Sequence, residues 1–146
     1  MYRKIILLIT FCLSTIMLNA QDCPEPTKEK YNKVMSSAFA EDFEKCPVMI
    51  EAEYLKEGFI KNMRKPRKIK KMYFFQCTSI GGETKPAGFG NELSGDYFVI
   101  DKKLADKIID LKKGDKIKLT GTTFTQNYFG IGLSTYFKVT DVMKIE

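Results

Sequence analysis

Apolar and polar positions change their period several times along this 146-residue chain, and each change marks an element. Between about Pro26 and Lys45, Tyr31, Val34, Met35, Ala38, Phe39 and Phe43 recur at steps of three and four, which predicts a helix with one apolar stripe. Thr27 is its candidate cap, although Lys30 stands where a capping box would place an acid, and Pro47 ends it. Such a stripe is expected to cover the open end or side of a sheet. "PVMIEAEYL" then alternates, with Val48, Ile50, Ala52 and Tyr54 on one face and Met49, Glu51 and Glu53 on the other, the period of a half-buried strand. "KMYFFQCTS" (71–79) and "DYFVI" (96–100) predict the second and third strands. Between those two, "IGGETKPAGFGNELSG" (80–95) holds five glycines and reads as loop. Asp101 is placed to cap a short helix in "KKLADKIIDLKK", with Leu104, Ala105, Ile108, Ile109 and Leu111 as its buried face and Gly114 as its stop. "DKIKLTGTTF" (115–124) is the fourth strand, with Ile117 and Leu119 inward. "TYFKVTDVMKIE" (135–146) is the fifth, with Phe137 and Val139 inward and Val142 following after an irregularity.

The order is therefore helix, β, β, β, helix, β, β. Five strands with a helix between the third and fourth is the plan of the OB-fold, a mainly β, five-stranded Greek-key barrel, here with an additional N-terminal helix. The segment "DYFVIDKKLADKIIDLKKGDKIKLTGTTF" and the closing "YFKVTDVMKI" resemble the strand–helix–strand and final strand of small exported bacterial OB-fold proteins. That resemblance spans residues 47–146, and its motifs concern architecture. It implies a barrel and leaves the ligand unspecified. The expected organisation is a signal peptide over 1–20, a leader and helix over 21–46, and the barrel over 47–146.

The export expectation rests on the N-terminus. Arg3 and Lys4 precede the 13-residue apolar run "IILLITFCLSTIM", and "LNA" supplies a small residue before a cut at Gln21. The run is short for a membrane span of about 20 residues, and Cys23 lacks the leucine and small residue that lipoprotein processing needs upstream. After cleavage no transmembrane span is expected, and the product would be periplasmic or secreted. Removing Arg3 and Lys4 from 24 basic residues leaves 22 against 18 acidic, a net charge of +4. That is mild, so placement of charge matters more than its total. Cys23, Cys46 and Cys77 remain. Cys46 opens the first strand and Cys77 closes the second, so an antiparallel pairing predicts a Cys46–Cys77 disulfide. A helix of about 20 residues, some 30 Å long, would hold Cys23 away from Cys46.

Chemistry narrows the function further. The chain has no histidine, which removes the usual base near neutral pH and any Ser/His or Cys/His nucleophile. With no CxxC pair either, no metal site or cofactor is expected, no catalytic residue can be nominated, and the protein is read as non-enzymatic. The glycines of 80–95 match no phosphate-binding fingerprint and precede a strand. Glu51 and Glu53 read as solvent-side residues of a strand. In an OB barrel the connections between strands one and two and between strands four and five flank the face of strands two and three, where oligonucleotides and oligosaccharides bind. This puts Lys56, Lys61, Arg64, Lys65, Arg67, Lys68, Lys70 and Lys71 on one wall and Asn127, Tyr128 and Phe129 on the other. Tyr73, Phe75, Phe89 and Tyr97 are the candidate floor. Cations beside aromatic rings hold the phosphates and bases of single strands, and equally the carboxylates and ring faces of acidic sugars. The expected partner is an anionic or polar oligomer or a protein; nucleic acid fits the chemistry but sits poorly with export. The alternative is an envelope protein acting through assembly, whose lysines only keep a sheet edge from aggregating.

Overall fold

The computed structural model describes residues 23–58, 69–83, 85–86, 93–127 and 133–146. Its strands are β1 (Val48–Glu57), β2 (Tyr73–Thr78), β3 (Lys85–Pro86), β4 (Leu93–Ser94), β5 (Asp96–Ile100), β6 (Lys116–Asn127) and β7 (Leu133–Lys144). Five of them close into a barrel in the order β1-β2-β5-β7-β6. Neighbours are antiparallel except β5 and β7, which run parallel. This is the Greek-key path of the OB-fold, as the strand pattern predicts.

Period-two alternation explains the interior. Val48, Ile50, Ala52 and Tyr54 of β1 all face inward, as expected, and meet Phe75, Phe98, Ile117, Leu119, Phe137 and Val139 in one core. Phe98 packs 5.5 Å from Phe75 and 5.6 Å from Phe137 between ring centroids. On the outer wall Glu51 and Glu53 stand across from Lys118 and Lys116, opposite charges on neighbouring strands. The expected irregularity in the last strand is a bulge: Thr120 pairs with Asp141 and Gly121 with Val139, so Thr140 is the extra residue and inward parity resumes at Val142.

The N-terminal segment departs from the single helix that its stripe suggested. One short helix, α1 (Tyr31–Val34), begins without a side-chain cap, and a 3₁₀ turn follows at Ala40–Phe43. Ser36 and Ser37 lie between them, residues whose hydroxyls compete with the helical backbone. Thr27 caps nothing: Met49 N donates to Thr27 O (2.9 Å) and Glu29 N to Met49 O (2.8 Å), a parallel bridge along β1. The stripe keeps its purpose, because Tyr31, Val34 and Phe43 join the barrel core, while Phe39 is left exposed. We call residues 23–46 the clasp.

The folded-back clasp overturns the expected disulfide. Cys23 is bonded to Cys46, with Cα atoms 5.3 Å apart, and Cys77 is free and buried. Two errors combine in the Cys46–Cys77 expectation. The chain between Cys23 and Cys46 turns rather than extending 30 Å, and β2 pairs with only the far half of β1. Its partner for Cys77 is Tyr54, eight residues past Cys46, which is about 26 Å of extended strand.

At the opposite end, Asp101 caps a 3₁₀ helix (Lys102–Lys107) by accepting from Lys103 N at 3.0 Å. Ile108 is buried and Leu104 and Leu111 pack against the core, but Ile109, expected inward, is 66% exposed because the 3₁₀ turn rotates it out. Gly114 turns the chain at φ +91°, a backbone conformation favouring glycine. The stretch 80–95 is not all loop, since β3 and β4 pair within it. Among the described residues no helix is long and apolar enough to cross a membrane. Residues 1–20 lie outside those described.

Candidate ligand-binding face

Strand register sets where the cations meet. Tyr73, the first residue of β2, pairs with Ile100, the last of β5, so Lys70 and Lys71 before β2 come beside Lys102 and Lys103 after β5. Gly58, at φ +93°, ends β1 and donates to Phe74 O at 2.8 Å, which folds the chain end onto β2. The result is a groove of about 430 Å³ lined by Glu57, Gly58, Lys70, Met72, Tyr73, Phe74 and Lys102. Lys70, Lys71, Lys102 and Lys103 are all exposed, and the Tyr73 ring is 47% exposed among them. Among these lining residues Glu57 is the lone acid, so the groove favours anions while keeping one aromatic face for stacking.

Beyond it, the outer face of β2, β5, β7 and β6 carries a second apolar cluster of Phe74, Val99 and Tyr136, with Tyr97 and Phe124 packed against it. Register explains the row: Phe74 pairs with Val99, Tyr97 with Tyr136, and Tyr136 with Phe124. Phe124 stacks on Tyr136 at 5.2 Å and 12°, and Tyr97 lies 6.1 Å from Tyr136. Burial, then the neighbouring Tyr136, pushes the Tyr97 phenol up to about 12. Ile69 and Met72, three residues apart in the turn before β2, lie over this row; Ile69 is buried although Lys70 beside it is exposed. Beside them Glu44, Thr122, Thr123, Phe124 and Lys138 line a shallower groove.

The predicted site residues therefore separate. Lys70 and Tyr73 come together in the groove. Tyr97 faces outward but belongs to the covered aromatic row. Phe75 is not floor: it shares parity with Cys77, points into the barrel and is fully buried, stacked 6.2 Å from Tyr54. Asn127 is the last residue of β6. Lys61, Arg64, Lys65, Arg67, Lys68, Phe89, Tyr128 and Phe129 lie outside the described residues. Register puts the connection that enters β2 at the Ile100 end of the face and the β6–β7 connection at the Asp96 end, so the face runs between them. Lys102, Phe74, Phe124 and Tyr136 were not singled out from sequence. Alternation could have found three of them, since an inward Phe75 and Phe137 force Phe74 and Tyr136 outward, and an inward Leu119 places Phe124 outward. Lys102 needed the β2–β5 register.

Glu51 accepts from Lys28 Nζ at 2.6 Å and Glu53 from Gly81 N at 3.4 Å, so these acids are engaged in the wall, as their surface reading expects. Among the described residues, no three Cys, Asp or Glu side chains converge as a metal site.

No protein-family model matches the sequence, and no curated protein matches it. Solved structures similar to it include an OBody bound to hen egg-white lysozyme, at 7% identity and TM-score 0.47, covering 71% of this chain and 85% of that one. The second single-stranded DNA binding protein of Mycobacterium smegmatis is similar at 19% identity and TM-score 0.44, covering 68% and 84%. The mitochondrial single-stranded DNA binding protein of S. cerevisiae is similar at 12% identity and TM-score 0.44, covering 72% and 97%.

Proposed function

We propose that this chain is an exported, non-enzymatic OB-fold binding module for an extended anionic ligand, held where β2 begins and β5 ends. The observation that carries this reading is the half-exposed Tyr73 ring beside Lys70 and Lys102 in one groove. Cations take phosphate, carboxylate or sulfate groups, and the ring takes a base or a sugar face. The basic residues from Lys61 to Lys68 enter β2 through the same connection and extend the charge along the chain. Export is supported by the apolar N-terminal run and by the Cys23–Cys46 disulfide, a bond that persists in oxidising compartments. It favours an acidic polysaccharide over nucleic acid as the natural ligand. The absence of histidine from the sequence supports a binding rather than a catalytic role.

The test is fluorescence anisotropy with residues 21–146, using a labelled uronate oligosaccharide and a labelled oligothymidylate at two salt concentrations. Binding of either should weaken steeply with salt, and Lys70→Ala with Lys102→Ala should flatten the salt slope by about 1 to 1.5, the loss of two ionic contacts. Tyr73→Ala should weaken binding by about 1–3 kcal/mol at both salts. Affinity indifferent to all three substitutions would overturn the assignment of this groove.

A further inference from the structure

The three cysteines among the described residues are arranged as a bond that guards a thiol. Cys23 and Cys46 join the two ends of the clasp, and both are only half-buried. Between them Tyr31, Val34, Ala40 and Phe43 plug the barrel end where β2 finishes. Directly beneath lies Cys77, free and fully buried. Tyr31 is the link: its hydroxyl donates to Cys77 O at 2.9 Å, and its ring lies 6.1 Å from Phe98. Apart from the disulfide and these apolar contacts, the clasp is tied to the barrel by few polar bonds. Among the described residues they are the Tyr31 hydroxyl on Cys77 O, the bridge at Met49, the Lys28–Glu51 pair and Thr123 Oγ1 donating to Ala40 O.

We propose that the Cys23–Cys46 disulfide is a redox lock on the clasp, and that its reduction unmasks the Cys77 thiol. A dithiol reductant supplies the two electrons and two protons. The Cys23–Cys46 bond breaks to give two thiols, and the reductant closes to its own disulfide. The open clasp then regains the chain entropy of a loop of about 23 residues, which raises its population on the order of a hundredfold. Cys77 does not exchange with Cys46, because its β1 neighbour is Tyr54, far along the strand. The lock therefore controls access and does not reshuffle bonds.

Alkylation of residues 21–146 with iodoacetamide, followed by peptide mass spectrometry, tests this. In the oxidised chain Cys77 should stay unlabelled over hours. After dithiothreitol its labelling rate should rise on the order of a hundredfold, with far-ultraviolet circular dichroism unchanged. Cys23→Ser with Cys46→Ser should label at the reduced rate without any reductant. Low urea separates clasp opening from global unfolding: the Cys77 rate should vary weakly with urea, since little surface is exposed. Equal Cys77 rates in oxidised and reduced chains would overturn the lock. So would a urea dependence as steep as that of global unfolding.

Discussion

At Gly121 the bulged β7 passes so close that an added Cβ would sit 2.1 Å from Lys138 O and 2.7 Å from Phe137 Cε1. The first of these is backbone in a paired strand, and the second is a ring fully buried in the core, so neither can step aside cheaply. Gly121→Ala should destabilise the protein by about 1–3 kcal/mol, read as a lowered urea midpoint with an unchanged m-value. Cys77 makes a different residue-scale prediction. Burial, then the nearby Asp96, pushes its thiol well above the usual range. Burial and Glu57 raise the Tyr54 phenol to about 12, and burial does the same for Tyr97. Groups raised on folding contribute stability that is complete below their unfolded pKa. It is lost as pH climbs from that value through the folded one. Stability should therefore hold to about pH 8.5 and decline above it, first from the thiol and then from the phenols. Urea titrations at pH 8 and 10 check this, and Cys77→Ala should remove the earliest part of the decline.

Among the elements, the 3₁₀ helix Lys102–Lys107 depends on one local bond and one exposed ion pair. Asp101→Ala leaves the Lys103 N–H without its acceptor and should cost about 1 kcal/mol. Lys107→Ala breaks a surface pair with Asp141 and should cost less than about 1 kcal/mol. Thermal unfolding of both variants compares a cap with a surface charge pair in one element. The elements also show what alternation can and cannot specify. All five barrel strands were legible, β1, β6 and β7 from alternation, and β2 and β5 from short aromatic and β-branched runs, since both faces of those two are covered. The bulge near Val139 was legible because inward parity breaks there. The clasp was not, since Tyr31, Val34 and Phe43 fit either a continuous helix or two short turns against a curved wall. Tertiary contact with the barrel decided between them, and the disulfide followed. Nor does a strand's own pattern state its offset from its neighbour, so neither the Cys77–Tyr54 register nor the arrival of Lys102 beside Tyr73 could be derived.

At the scale of the whole molecule, the barrel is not completed by its five strands alone. Tyr31, Val34 and Phe43 belong to the same core as Ile50, Phe98 and Leu119, although all three precede β1 in sequence. Burying each such side chain contributes about 1.5–3 kcal/mol. Three of them together approach the full stability of an ordinary domain, about 5–15 kcal/mol. Removing the clasp also uncovers Cys77 and Phe98 at that end and deletes the parallel bridge along β1. Residues 47–146 expressed alone should therefore unfold at a lower urea midpoint and bind a hydrophobic dye such as ANS, while residues 21–146 should bind none. The groove at Tyr73 opens where β2 begins, and none of its lining residues belongs to the clasp. If the shortened chain nonetheless unfolds cooperatively at a similar urea midpoint, the clasp is an accessory to the barrel. Anisotropy on that chain would then show directly whether anion binding needs only the five strands and their connections.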